Sequence, residues 1–379
     1  MIGGSCDARF EPVGDAFAAN FDSLGEAGAA ICVTAEGRPV VDLWGGWTNA
    51  ARTASWQHDT LVNFFSVGKG MLAVLAAWCA GTGLLDPDRP VARYWPEFGA
   101  AGKDEITVRQ LLSHQAGVPA VRRRLAPGAM LEWDLMTSAI AGQEPWWEPG
   151  TAHGYHVNTF GFAVGELLRR VSGRTVGTLV RAQLAAPLDA DVHIGLPASE
   201  HSRVADFEWP GAVADETDRT DLGGERLMEH NAYFNPGGLS GAGVVNTARW
   251  RTAEVPATNG HGTARGVARV YAALAAGGAV DGVRVVDSGA LAEATGEEVY
   301  GPDRILHRRS RFGLGFQLTQ AERPMGRGPA AFGHFGAGGS LGFCDPAAEL
   351  AVGYVTSQMG PRWQNPRNRA LIDAIYACL

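Results

Sequence analysis

Lysine is almost missing from this chain of 379 residues: it occurs twice, as Lys69 and Lys103, against 30 arginines. Cysteine is also sparse. The five residues Cys6, Cys32, Cys79, Cys344 and Cys378 are far apart, odd in number and mostly set among apolar neighbours, which argues against a disulfide framework and predicts reduced thiols. Basic residues form no run longer than Arg122 to Arg124, and the formal net charge is −8, so the electrostatic footprint of a nucleic-acid-binding protein is absent. Nowhere do about 18 uncharged apolar residues run together, so no membrane-spanning helix is predicted. Met1 to Phe10 has neither a basic nor an apolar signal region, which predicts a cytoplasmic address. Internal repeats and low-complexity segments are lacking too.

What remains is an ordinary globular balance, 46% hydrophobic and 19% charged, in a chain long enough for one large mixed domain or two joined lobes. Ala29 to Val33 and Val40 to Trp44 are apolar runs around Ala35-Glu36-Gly37-Arg38-Pro39, the pattern of a β-hairpin. The design recurs near the other end, where Leu341 to Cys344 and Leu350 to Val355 flank Asp345 to Glu349, followed by helical periodicity from Asn368 to Leu379. Between these ends the chain reads as mainly helical, with loops rich in Gly, Pro and Asp and no sustained periodicity over Pro197 to Asn235. The fold class expected is therefore α+β, an α/β sandwich whose antiparallel sheet is built from both termini and flanked by helices. Residues 1–85 and 265–379 would form it, with a mostly helical lobe, 86–264, inserted and a cleft between the two.

Ser66-Val67-Gly68-Lys69 leads into Met71 to Cys79, apolar almost all round, as a buried helix is. Ser66 then lies at a helix N-terminus, where unpaired N–H groups favour a developing oxyanion, and Lys69 stacks on the same face one turn later. Lysine suits that position because a desolvated ammonium can lose its proton near neutral pH and a guanidinium cannot. The alternative is a helix cap followed by a surface lysine, which fits poorly beside so apolar a helix.

With this motif the sequence resembles the serine β-lactamase and penicillin-binding-protein superfamily, closest to the family VIII carboxylesterases and class C β-lactamases. Ser66 to Lys69 matches S-x-x-K, while Leu84 to Val91 and Leu111 to Pro119 look like the family's packing signatures, with His114 read as structural. Tyr155, in Glu148 to His156 before a helix over Phe160 to Val171, occupies the place of the Y-x-N tyrosine. A phenol beside Lys69 is expected to have its pKa lowered by the positive charge and to shuttle the Ser66 proton; the alternative is a buried tyrosine bonded to a backbone carbonyl. The third position of that motif is Val157, with Asn158 one residue late, so the amide that would bind a β-lactam side-chain carbonyl is missing or displaced, which tilts the reading toward esters. Phe332 to Ser340 fits the K-T-G motif in its H-x-G form. By that alignment His334 and Gly336 join Val157 and Asn158 as substrate-binding candidates, and the N–H groups of Ala337 and Ser66 form the oxyanion hole. His334 alternatively only satisfies local hydrogen bonds. Glu254 to Arg265 resembles a cleft-wall segment in which Asn259 and His261 cap and turn the chain.

Gly338-Gly339-Ser340-Leu341-Gly342 satisfies the nucleophile-elbow pattern, but it precedes a strand rather than following one, so Ser340 is set aside. His153 and His156 are spaced like a metal pair without the companions a zinc site needs, and neither a metal nor another cofactor is predicted. The function expected is that of a serine carboxylesterase acting on a small-molecule ester or amide through an acyl-enzyme on Ser66. Its rivals are a β-lactamase or D-amino-acid peptidase or amidase, an acyltransferase using the same acyl-enzyme, and a non-catalytic scaffold retaining the fold.

Overall fold

The computed structural model describes residues 2–210, 222–237 and 241–379. Nine strands form one antiparallel sheet: β1 (Ile2–Cys6), β2 (Gly28–Ala35), β3 (Arg38–Gly46), β4 (Val299–Asp303), β5 (Arg308–Phe312), β6 (Gln317–Leu318), β7 (Phe332–Phe335), β8 (Leu341–Asp345) and β9 (Leu350–Thr356). Their spatial order is β1-β3-β2-β9-β8-β7-β6-β5-β4, so the two terminal segments meet where β9 pairs with β2. The β2–β3 turn is tighter than the sequence suggests, with only Glu36 and Gly37 between the strands, both at positive φ (51° and 74°), as a hairpin of matching twist requires. Pairing shifts between Val33 and Thr34, opposite Pro39, the bulge a residue without an N–H favours.

Helices cover both faces of this sheet. On one side α1 (Glu11–Ser23) packs with the C-terminal helix Pro366–Ala377 over Ile31, Val33, Phe343 and Val352. On the other, helix Ala264–Ala275 lies on β2, β8 and β9, close enough that a Cβ on Gly353 would stand 2.2 Å from the Ala264 carbonyl. Beside it runs α2 (Val67–Gly81), buried on nearly every side between β7, helix Ser288–Ala294 and helix Thr159–Ser172. No helix among the described residues is long and apolar enough to cross a membrane. All five cysteines are free.

Two parts of the fold depart from the periodicity reading. Helix Gly224–Phe234 lies inside the stretch read as aperiodic; it buries only Met228, Asn231 and Ala232, and the Asn231 amide anchors it to the Val121 carbonyl at 2.9 Å, so it has no apolar stripe to betray it. Residues 211–221 of the same stretch lie outside the described residues. Strands β4 and β5 carry Asp303, Arg308, Arg309 and Arg311, and their charged alternate faces hide a strand pattern that the sheet supplies by pairing.

Candidate active site

Phe65 adopts a left-handed backbone (φ 51°), a conformation that costs a bulky residue energy and turns the chain sharply into α2, leaving Ser66 as the N-cap. Gly336 lies against this turn: a Cβ there would stand 2.2 Å from the Phe64 carbonyl oxygen, so only glycine lets the end of β7 reach the start of α2. The sequence reading had Gly336 touching substrate; its bare α-carbon instead packs against protein backbone. Neither the Ser66 nor the Ala337 N–H donates to an acceptor among the described residues, so both remain available to a ligand.

One helical turn below, the Lys69 ammonium nitrogen Nζ lies 3.0 Å from Ser66 Oγ and 3.2 Å from the Ala257 carbonyl, which brings the Glu254 to Arg265 segment into the site as wall. Lys69 is fully buried with no carboxylate beside it among the described residues, and burial pushes its pKa well below the ordinary lysine range. Tyr155 is equally buried, and Nζ sits 4.8 Å from the centroid of its ring. The expectation of an acidified phenol is overturned here. Lys69 Nζ lies over the ring, and burial raises the phenol well above its usual pKa, with the neighbouring Ser66 hydroxyl opposing only in part. Burial thus favours the neutral form of both groups, amine and phenol.

His334 completes the cluster. Its Nδ1 donates to the Phe335 carbonyl at 2.7 Å, which leaves Nε2 as an acceptor 3.5 Å from the Tyr155 hydroxyl. Burial, and then the charge on Lys69, bring its pKa down to about 3, so it is a neutral acceptor. Three more neutral histidines hold the Tyr155 segment from behind. His156 donates Nδ1–H to the Gly154 carbonyl (2.7 Å) and accepts the Val118 N–H on Nε2 (3.2 Å), while His114 Nδ1 accepts the His156 N–H at 3.1 Å. His153 Nε2 meets Ser310 Oγ at 2.9 Å.

Val157 and Asn158 are placed differently from the reacting groups. Val157 packs with Met228, Trp147 and Ile305, and the Asn158 amide donates to the Ala232 carbonyl at 2.9 Å, tying helix Gly224–Phe234 to the start of helix Thr159–Ser172. Asn259 Nδ2 donates to the Trp250 carbonyl at 2.9 Å and His261 Nδ1 to the Asn259 carbonyl at 2.7 Å, the capping and turn roles expected of them. Ser340 is buried at the head of β8, where its Oγ accepts the Thr356 N–H at 3.4 Å.

Sequence reasoning missed Asp303. Its buried carboxylate accepts the Tyr155 N–H (3.0 Å), the Ile305 and Leu306 N–H groups (both 2.9 Å) and the Ser310 hydroxyl (2.8 Å), fixing the tyrosine from a strand 148 residues away. Trp363 was missed as well, with its ring 4.8 Å from that of Tyr155 and Arg308 stacked on it at 5.0 Å. Gly301-Pro302-Asp303 is a legible turn signal, but nothing local shows that the turn grips a tyrosine.

The arrangement can transfer a proton from Ser66 Oγ to a neutral amine while two free N–H groups receive an oxyanion. The Beta-lactamase family model matches residues 16–377. A solved structure described as a family VIII carboxylesterase is 43% identical with TM-score 0.92, and a penicillin-binding-protein homologue from Caulobacter crescentus is 39% identical with TM-score 0.93, each aligned over 100% of both chains. The esterase/beta-lactamase LipL of Mycobacterium tuberculosis is 37% identical over 368 residues, 94% of this chain and 83% of its own. Sharing that family's sequence pattern along nearly its whole length, and its fold, the chain belongs to the beta-lactamase family.

Proposed function

We propose that the protein is a serine hydrolase of carboxylic esters, with the cleft between the sheet-bearing part and the inserted 86–264 part as its active site. The observation that carries this reading is a fully buried lysine, unpaired with any carboxylate among the described residues, whose Nζ is 3.0 Å from the hydroxyl of a helix-capping serine. Burial favours the neutral amine, the form that acts as a base; Ser66 Oγ gives its proton to Lys69 as it attacks the ester carbonyl, and the N–H groups of Ser66 and Ala337 hold the oxyanion. Tyr155, kept protonated by burial, delivers its proton to the departing alkoxide, and His334 Nε2 orients that hydroxyl. Water then attacks the acyl-enzyme by the reverse route, giving its proton to the Tyr155 oxygen while Lys69 returns its proton to the departing Ser66 oxygen. An alcohol in place of water makes the same site an acyltransferase.

Esters are favoured over β-lactams because the third position of the tyrosine motif is Val157, which carries no amide, and the Nδ2 of the next residue, Asn158, donates to the Ala232 carbonyl. The resemblance to proteins described as carboxylesterase and as esterase/beta-lactamase supports ester chemistry too. The test is Ser66→Ala assayed on short nitrophenyl esters, with intact-mass analysis and peptide mapping after a brief fluorophosphonate pulse. Turnover is expected to fall about 10³-fold or more, and the adduct to map to Ser66. Parental turnover in the variant, or an adduct elsewhere, removes Ser66 as nucleophile.

A further inference from the structure

The turn that presents the Ala337 N–H is held from the far side by a network of buried polar side chains. Gly338 and Gly339 occupy positive φ (83° and 118°), and the turn's own bonds run from the Gly336 N–H to the Ser340 carbonyl (2.7 Å) and from the Gly339 N–H to the Gly336 carbonyl (3.2 Å). The Gly338 carbonyl also accepts Asn365 Nδ2 at 2.9 Å and Arg367 Nη2 at 3.0 Å, and the Gly339 carbonyl accepts Asn368 Nδ2 at 2.9 Å. These three side chains open the C-terminal helix, and all are at most 5% exposed. Arg367 also donates to the Gln358 carbonyl (2.9 Å) and, through Nη1, to Glu26 (3.0 Å); that carboxylate is itself held by Thr356 Oγ1 at 2.5 Å and by the Tyr354 hydroxyl.

A buried arginine and glutamate stabilise a fold little better than a packed apolar pair would, because both charges lose their hydration. What the pair does supply is direction: a guanidinium fixed on one branch by Glu26 has its other branch aimed at the Gly338 carbonyl. The space is shaped around that contact. A Cβ on Gly360 would lie 2.7 Å from the Gly338 oxygen and 2.9 Å from Arg367 Nη2, and one on Gly339 would lie 2.4 Å from Asn365 Nδ2.

We propose that Asn365, Arg367 and Asn368, braced by Glu26, are positioning residues that set the aim of the Ala337 N–H by clamping the two carbonyls that follow it. The inference rests on the reading of that N–H as an oxyanion donor. A clamp of this kind acts on the tetrahedral state, in which the donor must meet a displaced oxygen, and hardly on ground-state binding.

Asn365→Asp separates this role from simple folding. Aspartate keeps the helix cap, still accepting the Arg367 and Asn368 N–H groups as Asn365 does, but turns an anionic oxygen toward the Gly338 carbonyl in place of a donor. On a nitrophenyl ester kcat is expected to fall about 10-fold or more, with KM within about twofold and the fluorophosphonate labelling rate reduced by the same factor as kcat. Melting should fall, because the carboxylate meets the Gly338 and Arg362 carbonyls that the amide now serves, so kcat and labelling are compared per folded protein at a temperature where both proteins are folded. Arg367→Lys, which cannot reach Glu26 and Gly338 together, should show the same split; if it does not fold, Asn365→Asp decides alone. A folded Asn365→Asp protein that keeps kcat and labelling within about twofold of the parent overturns the clamp, as does a loss of activity matched only by loss of folded protein. Ser66→Ala run alongside distinguishes the failures: turnover surviving in that variant sinks the nucleophile assignment, whereas an inactive Ser66→Ala beside a fully active Asn365→Asp sinks only the clamp.

Discussion

Replacing Lys69 by methionine should abolish turnover and make the protein more stable at neutral pH. The nitrogen is entirely buried, with Ser66 Oγ and the Ala257 carbonyl as its partners among the described residues, and its pKa is held well below the ordinary value by loss of hydration. An unfolded chain carries that lysine as an ammonium with a pKa of about 10.4, so below that value the unfolded state binds a proton the native state resists, and stability is lost at about 1.4 kcal/mol for each pH unit down to the depressed pKa. Methionine has similar length and suits the apolar wall of α2, but leaves the Ala257 carbonyl without its donor, at a cost of about 1–3 kcal/mol. The proton-linked destabilisation opposes that loss, and outweighs it the more the lower the folded pKa lies.

The sign of the pH dependence gives the decisive assay. The folded pKa of Lys69 is lowered, so the parent gains stability as pH rises from the depressed pKa toward about 10.4, whereas Lys69→Met lacks this dependence. Melting or denaturant curves of both proteins between about pH 7 and about pH 10 should therefore show the variant's advantage shrinking as pH rises, by up to about 1.4 kcal/mol per unit. Ester turnover should fall about 10³-fold or more across that range. A stability difference that is constant or grows with pH, or a variant less stable than the parent at neutral pH, would mean that the buried amine is not the strained group described here.

Tyr155→Phe keeps the ring contacts with Phe312 and Trp363 and gives up only a hydroxyl whose acceptor, His334 Nε2, is 3.5 Å away. Its kcat should fall about 10²-fold or more with little change in melting, and an equally large loss of stability would make the residue structural. Gly336→Ala forces a methyl to within 2.2 Å of the Phe64 carbonyl, so we expect loss of both activity and about 2 kcal/mol or more of stability by denaturation; a fully active, stable variant would show that β7 does not abut the Phe65 turn as closely as described.

Residue type and spacing were enough to set Lys69 beside Ser66. Ser66 and Lys69 share one face of one helix, so a separation of three is already a distance, and the apolar run after them already implies burial. Tyr155 was reached through resemblance, since nothing in its own neighbourhood ties it to a helix nearly ninety residues earlier. The strands flanking Glu36 and Gly37 and those flanking Pro346 were legible because each buries an apolar run beside a turn, while the charged strands β4 and β5 were not. The direction of the Tyr155 shift was misread for a related reason: proximity to a cation can be guessed from sequence, but complete burial of both partners, which reverses the outcome, cannot.

The groups that hold the site in place were the least legible, and their contacts show why. Asp303 grips the N–H of Tyr155, Asn365 and Arg367 grip the carbonyl of Gly338, and Asn368 grips that of Gly339; each acts on backbone, which is the same at every position. A side chain that recognises another side chain leaves a pair of complementary residue types in the sequence, whereas one that recognises a peptide group leaves only itself. The pairing of Ser66 with Lys69 is therefore written in two residues close together in the chain, and the geometry around it in ordinary Asp, Asn and Arg residues far from them, whose meaning appears only once β4, β7 and the C-terminal helix have been brought together.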